Sequence, residues 1–131
     1  MTEDGAGWPS QDMVHWDRCR IWLAAAMEVA GNTHGLDEVF GLIAAGEARF
    51  WCGAACATVL DFYETPKVRA VNFWLVGGDL AELTSVLLPP IADWARDQGF
   101  RALMGSGRPA WGRALRRHGF APMHTTFAKE L

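Results

Sequence analysis

The stretch VRAVNFWLVGGDLAELTSVLLPPIADWARDQGFRALM, residues 68–104, decides the fold. Its first part, 68–76, is rich in Val, Phe and Trp, the residues that favour strands. Alternation assigns Val71, Phe73 and Leu75 to one face and Ala70, Asn72, Trp74 and Val76 to the other. Both faces are largely apolar, so this strand belongs in the centre of a sheet with helices on both sides. Leu80, Leu83, Leu87, Ile91 and Trp94 then share one side of a helix, with Asp79 as N-cap and Gly99 as the stop. Pro89-Pro90 lack donors and clash with the preceding turn, so they kink this helix or begin a second segment. Residues 100–104 form a short strand, which a right-handed crossover sets parallel to 68–76.

Upstream, 48–52, 56–63 and 68–76 read as a three-stranded antiparallel meander. Its turn signals are Gly53 and Glu64-Thr65-Pro66-Lys67. Before it, residues 14–30 predict a helix with Arg18, Ile21, Trp22, Ala25 and Val29 as its stripe, ended by Gly31 and Asn32. Leu36, Val39, Phe40 and Ile43 form a second short amphipathic helix closed by Gly46. Downstream, 109–118 is a helix with proline in its first turn and Gly119 past its end, and 120–128 is a last strand. Trp22, Trp51, Trp74 and Trp94 fall on core faces, whereas Trp16 and Trp111 begin helices with partly exposed rings. The result is a single α/β domain over 13–131, a mixed sheet with helices on both faces. The polar segment 1–12 reads as a mobile tail.

The 131 residues are half apolar and 21% charged, the composition of an ordinary globular domain. No apolar run approaches the ~18 residues of a membrane span, and the acidic start has no apolar region of a secretory signal. Three cysteines fit reduced thiols better than a disulfide framework. Cys52 and Cys56 match no zinc or redox spacing, and His15, His34, His118 and His124 are scattered, so no metal site is expected. Charge is uneven: residues 1–95 carry a net of −8 and residues 96–131 a net of +5. With an overall charge of −3, nucleic acid is not the expected partner.

Several motifs, taken in order, resemble the GNAT (Gcn5-related N-acetyltransferase) fold over roughly 14–131. They are Phe50-Trp51, the run Trp74-Leu75-Val76-Gly77-Gly78-Asp79-Leu80, Trp94-Ala95-Arg96, Gly107-Arg108-Pro109-Ala110-Trp111 and His118-Gly119-Phe120. They are most similar to GNAT-like proteins encoded by phages and prophages. That resemblance implies a phage origin, a location in the bacterial host cytoplasm or the virion, and virion proteins as partners.

The departures from an active acetyltransferase shape the functional expectation. In the resembling fold the acyl-CoA pyrophosphate rests on a Q/R-x-x-G-x-G/A loop, where bare amides and a helix N-terminus face the phosphates. The corresponding residues are Val76, Gly77 and Gly78, which would hold acetyl-CoA if it binds. No Lys or Arg occurs between Arg69 and Arg96, and Asp79 is expected to cap the helix with its own carboxylate, repelling phosphates. The tyrosine that many relatives carry on the fourth helix is missing, since Tyr63 lies on a strand. Asp61, between apolar Leu60 and Phe62, is the candidate general base, against the plain alternative of a solvent-facing strand residue. Arg108, Trp111 and Arg113 are candidates for an anion or partner site, with Arg108 aimed by Pro109 at a carboxylate or phosphate. The sequence therefore points to a non-catalytic virion or assembly component without a cofactor. The competing reading is an acetyl-CoA-dependent N-acetyltransferase.

Overall fold

The computed structural model describes residues 7–107 and 109–131. Asp12 caps a short 3-10 turn, Met13–His15, by accepting from the Val14 amide at 2.9 Å. The turn leads into α1, Trp16–Val29, and then α2, Leu36–Ala44. At the start of α2, Glu38 reaches back to accept from the Gly35 amide at 2.7 Å, satisfying a donor the helix leaves over. Strands β1 (Arg49–Cys52), β2 (Cys56–Glu64) and β3 (Arg69–Gly78) follow. A continuous helical run comes next: α3 (Leu80–Glu82), a π-helical turn (Leu83–Leu87) and α4 (Leu88–Asp97). The chain continues through β4 (Ala102–Gly105) and α5 (Pro109–Arg116).

The sheet order is β1-β2-β3-β4, with the first two pairings antiparallel and β3–β4 parallel. The expected meander and the expected parallel crossover are both present. A remnant of a further strand lies beside β1, where Ser10 and Cys52 exchange both backbone hydrogen bonds at 2.9 and 2.8 Å. Within the segment 1–12, Trp8 also packs on the core, with the Arg18 guanidinium 4.8 Å from its ring.

Two apolar layers hold the sheet. On one face, Trp16, Cys19, Leu23 and Met27 of α1 and Val39 of α2 cover Phe50, Cys52, Ala57, Val59 and Leu75. On the other, Leu83, Leu87, Ile91 and Ala95 cover Trp51, Cys56, Leu60, Val71 and Phe73. Each fully buried Leu, Ile, Val or Phe contributes roughly 1.5–3 kcal/mol by leaving water, so both layers matter to stability. Pro89 and Pro90 sit in the first turn of α4, where missing donors cost nothing, and the π-helical turn just before them absorbs the mismatch.

Four expectations need correction. The buried stripe of α1 is Trp16, Cys19, Leu23 and Met27, while Ile21 is 74% and Val29 57% exposed. Two stripes were available at helical spacing, each with one tryptophan, and the one without a charged residue packs against the sheet. Trp16 is accordingly buried, with its ring edge-on to Phe40 and Phe50. Alternation along β3 breaks at a β-bulge, because Val59 pairs with Leu75 but the next residue, Leu60, pairs with Phe73. Trp74 is the extra residue, so Val71 and Phe73 face α4 while Leu75 faces α1. Finally, 120–128 forms no strand: residues 121–131 are exposed and carry no regular structure.

Candidate functional site

The junction of β3 with α3 is where the resemblance places the acyl-CoA phosphates. Gly77 and Gly78 are ladder residues here, paired with Ala57 and Cys56. The α1 backbone lies directly on Gly77, so that a Cβ there would sit 2.6 Å from the Trp22 carbonyl oxygen. At Gly78, φ is +87° and a Cβ would fall 2.3 Å from the Ala55 carbonyl oxygen. Both glycines are used for close backbone packing within the chain.

The helix N-terminus is equally committed. Asp79 caps it as expected, its Oδ1 accepting from the Ala81 and Glu82 amides at 2.9 and 3.4 Å. The Asp79 amide donates to the Ala55 carbonyl at 2.8 Å. One turn on, the Glu82 carboxylate accepts from the Ala54 and Ala55 amides at 3.0 and 2.7 Å, fixing the β1–β2 turn beneath the helix. Arg18 closes the same turn from α1, donating to the Gly53 and Ala54 carbonyls at 2.8 and 3.1 Å. Two carboxylates thus take the amides around the helix start, and the nearby guanidinium is turned to carbonyls. The residues at this junction do not fit an acyl-CoA pyrophosphate.

Three buried thiols lie under the junction. Cys19 is held below its ordinary value by a hydrogen bond from Cys52 and by Arg18, against the opposing effect of burial. Cys52 is pushed up by that same bond and by burial. Cys56 is pushed up to about 12 by burial, reinforced by the Glu82 carboxylate. Cys52 and Cys56 are therefore neutral thiols that pack. No group of three or more His, Cys, Asp or Glu among the described residues is arranged to hold a metal ion.

Asp61 lies elsewhere, in an open groove of about 600 Å³ on the α1–α2 face of the sheet. Its Oδ1 accepts from the Asn72 amide nitrogen at 2.7 Å, and the side chain is half-buried. His34 and Trp74 form one wall, ring centroids 4.9 Å apart and edge-to-face, with Glu47 and Glu64 also lining the groove. The bulge sets Trp74 there. Asp61 and the Val76–Gly78 segment are not brought into one polar site by any hydrogen bond among the described residues.

Of the candidate partner residues, Trp111 is half-buried with its indole over Gly107, and Arg113 is exposed. Arg108 lies outside the described residues. Sequence reasoning missed Glu82, Arg18, Asn72 and His34. Glu82 three residues after Asp79 was a visible signal of a capped helix start, but its partners are 27 and 28 residues away and have no local signature.

No protein-family model matches the sequence, and no curated protein is recognisably similar to it. Solved structures do match in fold. An acetyltransferase from Trypanosoma brucei superposes with a TM-score of 0.55 at 11% identity, covering 83% of this chain and 92% of that one. Glucosamine-6-phosphate N-acetyltransferase from Arabidopsis thaliana gives 0.58 at 10% identity, covering 79% and 87%. A predicted acetyltransferase from Clostridium acetobutylicum, determined with acetyl-CoA, gives 0.59 at 8% identity, covering 91% and 92%. The chain has the GNAT-like α/β fold in a single domain.

Proposed function

We propose that this chain uses the GNAT scaffold without acyl-CoA chemistry, as a non-catalytic binding or assembly component. The observation that supports the reading is the β3–α3 junction, where Asp79 and Glu82 accept the amides around the helix start and the Trp22 backbone packs on Gly77. The partner-binding surface we assign to the basic C-terminal third, around Trp111 and Arg113. A phage virion as the setting is part of the same proposal and rests on sequence resemblance alone.

A second reading has its own support. The groove holding Asp61 is lined by three carboxylates and an aromatic wall, chemistry that suits a protonated amine. In that reading the chain is an N-acetyltransferase with an altered cofactor seat, and Asp61 is the base. A thermal-shift titration with acetyl-CoA and CoA separates the two. Ligand at 100 times its dissociation constant stabilises a fold by about 2.7 kcal/mol. The proposal expects no saturable shift, and a saturable shift with both nucleotides would establish the second reading instead.

A further inference from the structure

The sheet sorts the three buried cysteines into two layers. Cys52 packs with Cys19 in the layer that α1 covers, while Cys56 belongs to the layer that α4 covers. Register explains the split. Cys52 pairs with Ala57, so Cys56, one residue away along β2, faces the opposite side. Cys19 and Cys52 are therefore neighbours although they lie 33 positions apart in sequence. Cys52 and Cys56, at the two ends of one turn, are separated by the sheet itself.

The Cys52 thiol donates to Cys19, and the Arg18 guanidinium stands beside it, its Nη2 3.6 Å from the Cys52 sulfur. The same guanidinium lies 4.8 Å from the half-buried Trp8 ring. Backbone cover on this side is thin, because Ser10 and Cys52 form an isolated bridge and no ladder continues it. Such an element opens at lower cost than the core and admits a small oxidant. A neighbouring cation favours the thiolate, the form that attacks, and Cys19 is the member held below its ordinary value.

We infer that Cys19 and Cys52 are an oxidative modification site: a hydroperoxide converts the pair to an internal disulfide that staples α1 to β1 and leaves Cys56 reduced. The Cys19 thiolate attacks one peroxide oxygen and the O–O bond breaks. The departing hydroxide takes up the proton that Cys19 released, leaving a sulfenic acid and one water. The Cys52 sulfur then attacks the sulfenic sulfur, the S–O bond breaks, and hydroxide leaves with the Cys52 proton as a second water. Two thiols have lost two electrons, and one peroxide has become two waters. The bridge closes a loop through α1, α2 and β1, which restrains the unfolded chain and raises resistance to denaturant. The inference is independent of whether acyl-CoA binds.

Treating the reduced full chain with excess hydrogen peroxide tests it, followed by quenching, unfolding, alkylation of free thiols and peptide mapping. The expected result is a 19–52 linked peptide pair two hydrogens lighter than its reduced form, with Cys56 alkylated and full reversal by dithiothreitol. The urea midpoint rises on oxidation; Cys56→Ala keeps both responses and Cys19→Ala loses both. The mapping uses the unaltered chain, so it stands however the variants fold. Three alkylatable thiols after peroxide would overturn the inference. So would a Cys52–Cys56 bridge, linked dimers as the main product, or Cys19 oxidised to sulfinic acid without a bridge. A 19–52 bridge that forms as fast in urea as in the folded chain would overturn it too, since the fold would then contribute nothing.

Discussion

The two ends of β3 contrast in how they treat backbone donors. At its C-terminal end, against α3, the amides of Ala54, Ala55, Asp79, Ala81 and Glu82 all have partners inside the chain. Next to its N-terminal half, β4 is the last strand of the sheet among the described residues, and residues 121–131 are exposed with no regular structure. In the first region the chain's own carboxylates and backbone take these donors. In the second, the outer side of β4 has no strand partner among the described residues. The two regions therefore differ in how much of the backbone's hydrogen bonding the chain itself completes.

The contrast is sharpest in the glycines. Gly78→Ala forces a side chain into the left-handed region and against the Ala55 carbonyl, and should destabilise by about 3 kcal/mol or more in denaturant unfolding. A neutral result would mean the junction is loose enough to remodel around phosphate. Glu82→Gln keeps one acceptor oxygen and loses the charge shared by two amides, at an expected cost of about 1–3 kcal/mol. Little loss would mean the β1–β2 turn holds without the carboxylate, leaving Glu82 free to move aside for a ligand.

Alkaline stability sharpens the same region. The folded protein keeps Cys56 protonated up to about 12, above an ordinary 9.0, so the unfolded chain releases that proton first. Stability is therefore complete below pH 9 and falls as pH rises towards 12, by up to about 1.4 kcal/mol per unit from this one group. Cys56→Ala should flatten that fall, and an unchanged slope would contradict a buried neutral thiol. The smallest effect belongs to the other region. Gly112 in α5 has open space around its missing Cβ, so Gly112→Ala should stabilise by about 0.5–1 kcal/mol. Destabilisation there would show that α5 is packed more tightly than its surface suggests.

Local rules made the central β3–helix–β4 unit legible. Strand composition, the Asp79 cap, the Leu83-Leu87-Ile91 stripe and the crossover rule all act within about thirty residues. The Asp79 carboxylate on the helix-start amides followed from capping chemistry in the same way. The β-bulge at Trp74 was not legible, because period-two reading assumes an unbroken pleat and the extra residue is defined only by pairing with β2. The stripe of α1 failed for a related reason: helical spacing permits two faces, and the sheet beneath chooses between them. Segment 120–128 has strand composition and yet no strand, since a strand is completed by a partner and composition names none. At the candidate site, Asp61 was found by residue type, while Asn72, His34 and Trp74 reach its groove through tertiary structure.

The central claim is that the β3–α3 junction is filled from within. Amide-resolved NMR of the full chain during titration with acetyl-CoA reads it directly, through the Gly77, Gly78, Leu80 and Ala81 resonances. The account predicts that these four stay in place while the nucleotide is raised to millimolar concentration. Saturable, concerted movement of the Gly77, Gly78 and Leu80 amides would contradict it, because only a ligand seated at the helix start would displace them together.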